Sequence, residues 1–274
     1  MLQILLPGDG SVRVVESPLP RPGAGEVRVK VQASALCRSD MSIFHGASVL
    51  AGVVPGTIVP GHEPAGIVDE TGAGVSQVRA GDRVAVYVFL GCGGCRYCRD
   101  GEIMLCPSAR AMGFHTHGGD AEYMIIPESN CLPIPDEMSF ELAAISTDAI
   151  GTLYHAIKRA NGAQPGTTTA IFGLGPMGTA ASYVAKGFGG TTYGVDVLDH
   201  RVRRAREDVG VLDEVIDASA VDPVTALREL TRGAGVDLAI DCSGNAQGEI
   251  NCLDVVRPLG TAIYIGESTS CTIN

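Results

Sequence analysis

Four cysteines in one short stretch, Cys92, Cys95, Cys98 and Cys106, have the types and spacing to hold a metal ion. The run CGGCRYCRDGEIMLC reads C-x2-C-x2-C-x7-C, and its glycines let the backbone turn each sulfur inward. Four thiolates converging on one point suit a tetrahedral divalent ion, of which Zn²⁺ is the usual example. With all four positions filled by protein, such an ion braces a loop and performs no reaction. Two disulfides or an iron–sulfur cluster are the competing readings of the same residues.

A second stretch could cradle phosphates. Gly173-Leu174-Gly175-Pro176-Met177-Gly178 follows the apolar run TTAIF and opens a helix-like segment. In a G-x-G-x-x-G turn the first glycine permits a tight bend and the second lets the backbone approach a pyrophosphate. The third lets helix and strand pack closely. The helix that follows presents free N–H groups and its positive dipole end to the phosphates. Asp196 ends the next apolar run, TTYGVDV, at the spacing where a carboxylate binds the adenosine ribose hydroxyls. Its charge would repel a 2′-phosphate, which favours NAD over NADP. Without a ligand, the same glycines form a plain strand-to-helix turn and Asp196 is a solvated strand end. Arg201 and Arg203, just beyond, could blur that cofactor preference, but read first as a solvated helix face.

The elements that must position these residues divide into two textures near residue 155. The first part carries short β-rich runs (EVRVKVQA, GIVDETG, DRVAVYV, AEYMIIP) between Gly/Pro turns, the pattern of a small irregular β-domain. Its stretches 55–66 and 91–120 read as long loops, of a length that is usually functional or tied by metal. The second part alternates apolar strands at 168–172, 191–195, 214–217, 236–241 and 261–265 with helices near 176–188, 200–209, 222–232 and 246–257. That alternation predicts an α/β fold with a doubly wound parallel sheet. A complete dinucleotide-binding sheet has six strands. Only five are counted before Asn274, so the expectation is either a fragment, its sheet truncated after the fifth strand, or an open-ended sheet. The expected domains are 1–154, with a metal lobe at 91–107, and 155–274.

The bulk numbers exclude other classes. A net charge of -11 argues against nucleic acid, whose phosphates would be repelled. No apolar run is long enough to span a bilayer. The N-terminus lacks a basic stretch followed by an apolar core, so no secretory signal is read there. With nine cysteines, this points to a reducing, cytoplasmic setting in which thiols are available for metal.

Cys37 lies in ALCRSD and His62-Glu63 in VPGHEPAG. Together with GDRV, GGDAEY, the four-cysteine run, the glycine turn and its acidic partner, all in order, these residues resemble the zinc-dependent medium-chain alcohol dehydrogenases over essentially the whole chain. The resemblance implies a GroES-like catalytic domain followed by a Rossmann domain. It implies two zinc ions per chain, NAD as cofactor, a small alcohol or carbonyl substrate, and a homodimer or homotetramer for the full-length parent. It makes Cys37, His62 and Asp148 the catalytic zinc ligands. A Cys, a His and a carboxylate leave one tetrahedral position open, as a catalytic site requires. Ser39 then begins a proton relay, Asp40 orients His62, Glu63 lies near the metal, and Arg38 reaches the cofactor pyrophosphate. Some family members have a histidine five residues after the ligand cysteine. Ser42 stands there in this chain, so His45 or solvent is expected to carry the proton out.

Each position has a plainer reading: an inert thiol for Cys37, a hydrogen-bonded core histidine for His62, a helix cap for Asp148, a turn residue for Ser39 and a surface charge for Arg38. His115 and His117 read as surface loop histidines that could also line a substrate pocket. Cys131, Cys242, Cys252 and Cys271 read as small apolar packing groups. The expected reaction is hydride transfer between an alcohol or polyol and NAD. The alternatives are a sorbitol-, glucose- or threonine-type dehydrogenase, or a fragment that only binds zinc or nucleotide.

Overall fold

The computed structural model describes residues 1–47 and 50–266. Cys271 lies outside them. The chain forms two compact units that divide after Asp148, whereas the change of sequence texture suggested a division at 154. The difference arises because 149–154 continue the helical stretch that follows Asp148 and pack with the second unit.

In the first unit, β1 (Leu2–Leu5) and β2 (Arg13–Glu16) form a hairpin. β3 (Glu26–Ala35) leads to α1 (Arg38–Phe44), and β4 (Glu63–Thr71) and β5 (Arg83–Val86) follow. β6 (Phe89–Leu90), α2 (Arg96–Arg99) and β7 (Arg110–Ala111) build the cysteine lobe. β8 (Tyr123–Pro127), β9 (Cys131–Pro133) and α3 (Phe140–Ile145) complete the unit. The main sheet is antiparallel in the order β8-β3-β4-β5-β9. Alternating side chains of its strands, Val27 and Val29, Val84 and Val86, and Met124 and Ile126, meet with Val68 and Met112 in one apolar core. Cys131 belongs to that core, as expected of a small apolar group.

In the second unit, α4 (Gly151–Arg159) precedes β10 (Thr168–Phe172), α5 (Pro176–Phe188), β11 (Thr191–Asp196) and α6 (Asp199–Arg204). Then come β12 (Glu214–Asp217), α7 (Pro223–Leu230), β13 (Val236–Asp241), α8 (Ala246–Val255) and β14 (Val256–Tyr264). The five strands are parallel in the order β12-β11-β10-β13-β14. Successive residues of β10 bury opposite faces. Ile171 joins Leu153, Ile157, Ala181, Ala185 and Val202 on one side. Ala170 and Phe172 join Leu227, Cys252 and Val255 on the other. Helices therefore cover both faces, the doubly wound arrangement read from the alternation. Cys252 is buried and Cys242 packs partly buried against the first of these cores. The last helix stops at Val255 rather than 257 because Val256 already pairs with Val236 of β13. Pro258 cannot continue a helix, and Leu259 turns into the left-handed region (φ 65°) before the strand resumes.

Candidate active site

In the first unit, residues far apart in sequence converge. Cys37 precedes α1, His62 is the last loop residue before β4, Glu63 begins β4, and Asp148 lies in a π-helical turn (Ser146–Ile150) after α3. One donor atom from each of these four lies within 4.8 Å of the others. His62 Nε2 is 3.2 Å from Asp148 Oδ2 and 3.9 Å from Glu63 Oε1. Behind the ring, Nδ1 is 3.2 Å from Asp40 Oδ1, close enough for an ion pair but not aligned as a hydrogen bond. The other oxygen of Asp40 accepts the Cys37 backbone N–H at 2.9 Å. Asp40 thus contacts both the histidine ring and the cysteine that share the cluster. Phe114 backs the imidazole, with ring centroids 4.9 Å apart.

The electrostatics of this cluster call for a cation. His62, Glu63 and Asp40 are all buried. Burial opposes charge on His62, but Asp148, Asp40 and Cys37 outweigh it and push the imidazole pKa up to about 12. Burial and the neighbouring Asp148 carboxylate raise Glu63 to about 7, against the pull of His62. A thiol, an imidazole and two carboxylates form a donor set suited to zinc, and a divalent ion would relieve the acidic crowding that protons now relieve. The residues present fit the metal.

The four cysteines also meet, with their sulfurs within 4.8 Å of one another, and none of them is in a disulfide. The β6–β7 ladder, Phe89 opposite Ala111 and Leu90 opposite Arg110, closes the base of their lobe. Backbone N–H groups of Cys92, Cys95 and Cys98 point to the sulfurs of Cys106, Cys92 and Cys95 at 3.5, 3.3 and 3.5 Å. Hydrogen bonds from Gly94 and Cys95 bring the Cys92 thiol down to about 6. Burial within the lobe pushes Cys98 up to about 11. Convergent sulfurs fed by amide donors fit a four-thiolate metal site.

The other expected residues of this unit fall into two groups. Ser39 is buried in the first turn of α1, beside the cluster residues Cys37 and Asp40. Arg38 is exposed. His45 caps the opposite end of α1, about 9 Å along the axis from Ser39. It is exposed, with its ring edge-on to Phe44. His115 and His117 serve the backbone. His115 Nδ1 accepts the Ala111 N–H at 3.0 Å while Nε2 lies 3.0 Å from the Ala51 carbonyl. His117 Nδ1 accepts the Val59 N–H at 3.1 Å.

In the second unit, the glycine turn lies between β10 and α5, at the carboxyl end of the sheet. Gly173 has φ +88°, and a Cβ there would sit 2.7 Å from the Ser243 Cα. A Cβ on Gly178 would strike the Gly173 carbonyl, so helix and turn need glycine at both places. Gly175 clashes with nothing in the protein and precedes Pro176, the first residue of α5. Met177 packs against the core beneath the turn. Asp196 is buried. Its Oδ2 accepts the Leu174 N–H at 2.6 Å and its Oδ1 accepts the Leu198 N–H at 2.9 Å. Arg201 lies 3.5 Å from Asp196 Oδ2, so this partly exposed arginine bears on the cofactor-site carboxylate as well as on solvent. Arg203 pairs with the exposed Asp199, as a solvated face would. A groove of about 290 Å³ runs along Gly173, Asp196 and Arg201 to Ser243, Asn245 and Gln247. It lies outside the carboxyl ends of the strands, where open α/β sheets bind their ligands.

Sequence reasoning missed Phe114, Ser243 and Asp120. Ser243 and Phe114 act through packing across long separations, which no local spacing reveals. Asp120 sat in a quoted motif without a role. Its burial raises its pKa, while Ser34, donating from 2.7 Å, opposes the rise.

Two family models match the chain. The alcohol dehydrogenase GroES-like domain covers residues 23–136 and the zinc-binding dehydrogenase covers 176–273. Over 98% of its length the chain is 36% identical to an uncharacterized zinc-type alcohol dehydrogenase-like protein of Escherichia coli, of which it covers 77%. It is 34% identical over 93% of its length to an alcohol dehydrogenase of Geobacillus stearothermophilus, covering 74% of it. A solved Escherichia coli oxidoreductase of unknown specificity superposes on 100% of this chain and 79% of its own, with a TM-score of 0.92 and 27% identity. Other relatives are named sorbitol dehydrogenase, L-threonine 3-dehydrogenase and galactitol-1-phosphate dehydrogenase, so the substrate class is not fixed by similarity.

Proposed function

This chain belongs to the zinc-type medium-chain dehydrogenase/reductase family, and from that premise we propose that it transfers hydride between an alcohol or polyol and NAD, with zinc held by Cys37, His62 and Asp148. One observation carries the reading: the convergence of a half-buried thiol, a buried imidazole and two carboxylates, one donor more than a three-ligand catalytic site needs. Zinc bound there would supply Lewis acidity, easing loss of a proton from an alcohol or polarising a carbonyl.

The chain's own groups do the rest. Cys37 and Asp148 bring negative charge that balances the ion. Asp40, 3.2 Å from Nδ1, would hold His62 with Nε2 turned to the other donors, the support metal-bound histidines generally require. Ser39, buried beside Cys37 and Asp40, is the proposed first acceptor of the substrate proton, and His45 or solvent the exit. Glu63 would stand by as a fourth donor near the ion. In the second unit Gly173, Gly175, Pro176, Met177 and Gly178 would shape the pyrophosphate turn, and Asp196 would bind the ribose hydroxyls. Arg38 is proposed to add a cation for the pyrophosphate. A carboxylate at position 196 disfavours a 2′-phosphate and supports NAD, although the Arg201 ion pair weakens that repulsion. Cys92, Cys95, Cys98 and Cys106 are proposed to hold a second, structural zinc. The proposed setting is cytoplasmic, as a homo-oligomer. Among the described residues no helix is long and apolar enough to cross a membrane.

The relatives named for sorbitol, threonine and galactitol phosphate support a sugar or hydroxy-amino-acid substrate as the second reading. A screen of NAD and NADP reduction over primary, secondary, polyol, sugar and hydroxy-amino-acid alcohols, with and without chelator, tests both readings. Activity lost on chelation and restored by Zn²⁺ is the expected result. Turnover indifferent to metal would overturn the mechanism.

A further inference from the structure

We propose that Asp120 is a positioning residue that locks the Gly61-His62 turn and so sets the pose of His62 toward its metal. This rests on the reading of His62 as a zinc ligand. The turn that delivers His62 is gripped backbone to backbone by the 113–120 loop. Gly118 N–H donates to the Val59 carbonyl at 2.8 Å, Gly119 N–H to the Gly61 carbonyl at 2.8 Å and Asp120 N–H to the Pro60 carbonyl at 3.0 Å. Glycines make that approach possible, since a Cβ on Gly118 would strike the Gly61 carbonyl and one on Gly119 would strike Pro64.

Asp120 completes the grip with its side chain. Gly61 has φ +87°, and the place where its Cβ would stand is filled by the Asp120 carboxylate. That carboxylate is held in turn by β3, because the Ser34 hydroxyl donates to Asp120 Oδ1 at 2.7 Å. The Asp120 carbonyl accepts the Ile4 N–H of β1 at 2.8 Å. One residue thus ties β1, β3 and the histidine turn together, and its side chain presses on the residue next to His62. Sub-ångström slack in such supporting groups is what loosens a metal ligand.

The test is chelator competition for zinc on the full chain, read separately for the two sites, with the four-cysteine ion as an internal measure of folding. Cobalt substitution gives a second, spectroscopic readout of the geometry at Cys37 and His62. Asp120→Ala should weaken zinc at the His62 site by about tenfold or more and alter its cobalt spectrum, with the four-cysteine site unchanged. Asp120→Asn, which keeps the shape and the acceptor for Ser34, should restore binding to within about threefold. Ser34→Ala should fall between them, and these two variants carry the test if Asp120→Ala does not fold. Wild-type affinity in Ser34→Ala and Asp120→Ala would overturn the proposal. So would an Asp120→Asn loss as large as that of alanine, since charge rather than position would then be at work. Wild-type protein that holds only the four-cysteine ion would instead overturn the reading of His62 beneath it.

Discussion

The two donor clusters of the first unit are built in opposite ways. The cysteine lobe draws all its donors from one stretch of chain, from Cys92 to Cys106, closed by the two-stranded β6–β7 ladder. Its sulfurs receive backbone N–H groups from within the same loop. The second cluster takes Cys37, the adjacent pair His62 and Glu63, and Asp148 from three separate stretches and buries its histidine at 3% exposure. Asp40 supports it from the helix that Cys37 caps, while Phe114 and the Asp120 grip come from further along the chain. A local loop suffices to close four equal ligands around an ion. A site meant to keep a position open needs its donors held from several directions, and here long-range packing supplies that.

Substituting ligands gives the largest expected effect and separates the two clusters. Cys37→Ser should lower turnover by about 10³-fold or more while the protein keeps one zinc and stays folded. Cys95→Ser should instead cost roughly 2–3 kcal/mol of stability, about 5–10 °C in melting temperature, and leave chemistry at low temperature largely intact. Turnover, zinc content and melting curves of the two variants check this. Equal loss of turnover in folded forms of both would erase the distinction.

A smaller effect comes from pH. In the metal-free cluster, His62 is raised to about 12 and Glu63 to about 7, both above their ordinary values. The folded state therefore holds more protons than the unfolded chain. The Glu63 contribution is fully present below about pH 4.5 and is lost as pH rises toward 7. That of His62 is fully present below about 6.5 and is lost as pH rises toward 12. Metal-free protein should lose on the order of 1–2 kcal/mol from His62 between pH 6.5 and 8. Zinc replaces the proton and should remove that dependence. Melting of chelated wild type against chelated His62→Gln reads out the cluster's proton, with Glu63 shifting alongside because it loses the pull of His62. A matching pH slope in the two would show that His62 carries no such proton.

The same contrast explains what could be read from sequence. The cysteine lobe was legible because its four thiols share one short stretch, and the second unit because continuous apolar strands alternate with helices. α5, Pro176–Phe188, falls where the pattern put it, with proline at its start and Gly189 at its end. Asp120, Ser34 and Phe114 were not legible, since their contacts join residues far apart in the chain. Arg201 looked solvated because the pattern on α6 cannot reveal that the Asp196 carboxylate lies within reach. The break after Asp148 was hidden because the helical texture runs through it.

The most direct test follows zinc and turnover together during slow chelation of wild-type protein. The account predicts two ions per chain, with turnover falling in step with the one whose cobalt replacement shows a single thiolate ligand. The four-thiolate ion should be free to stay or leave without setting the rate at low temperature. Full turnover after the single-thiolate ion has gone would contradict it.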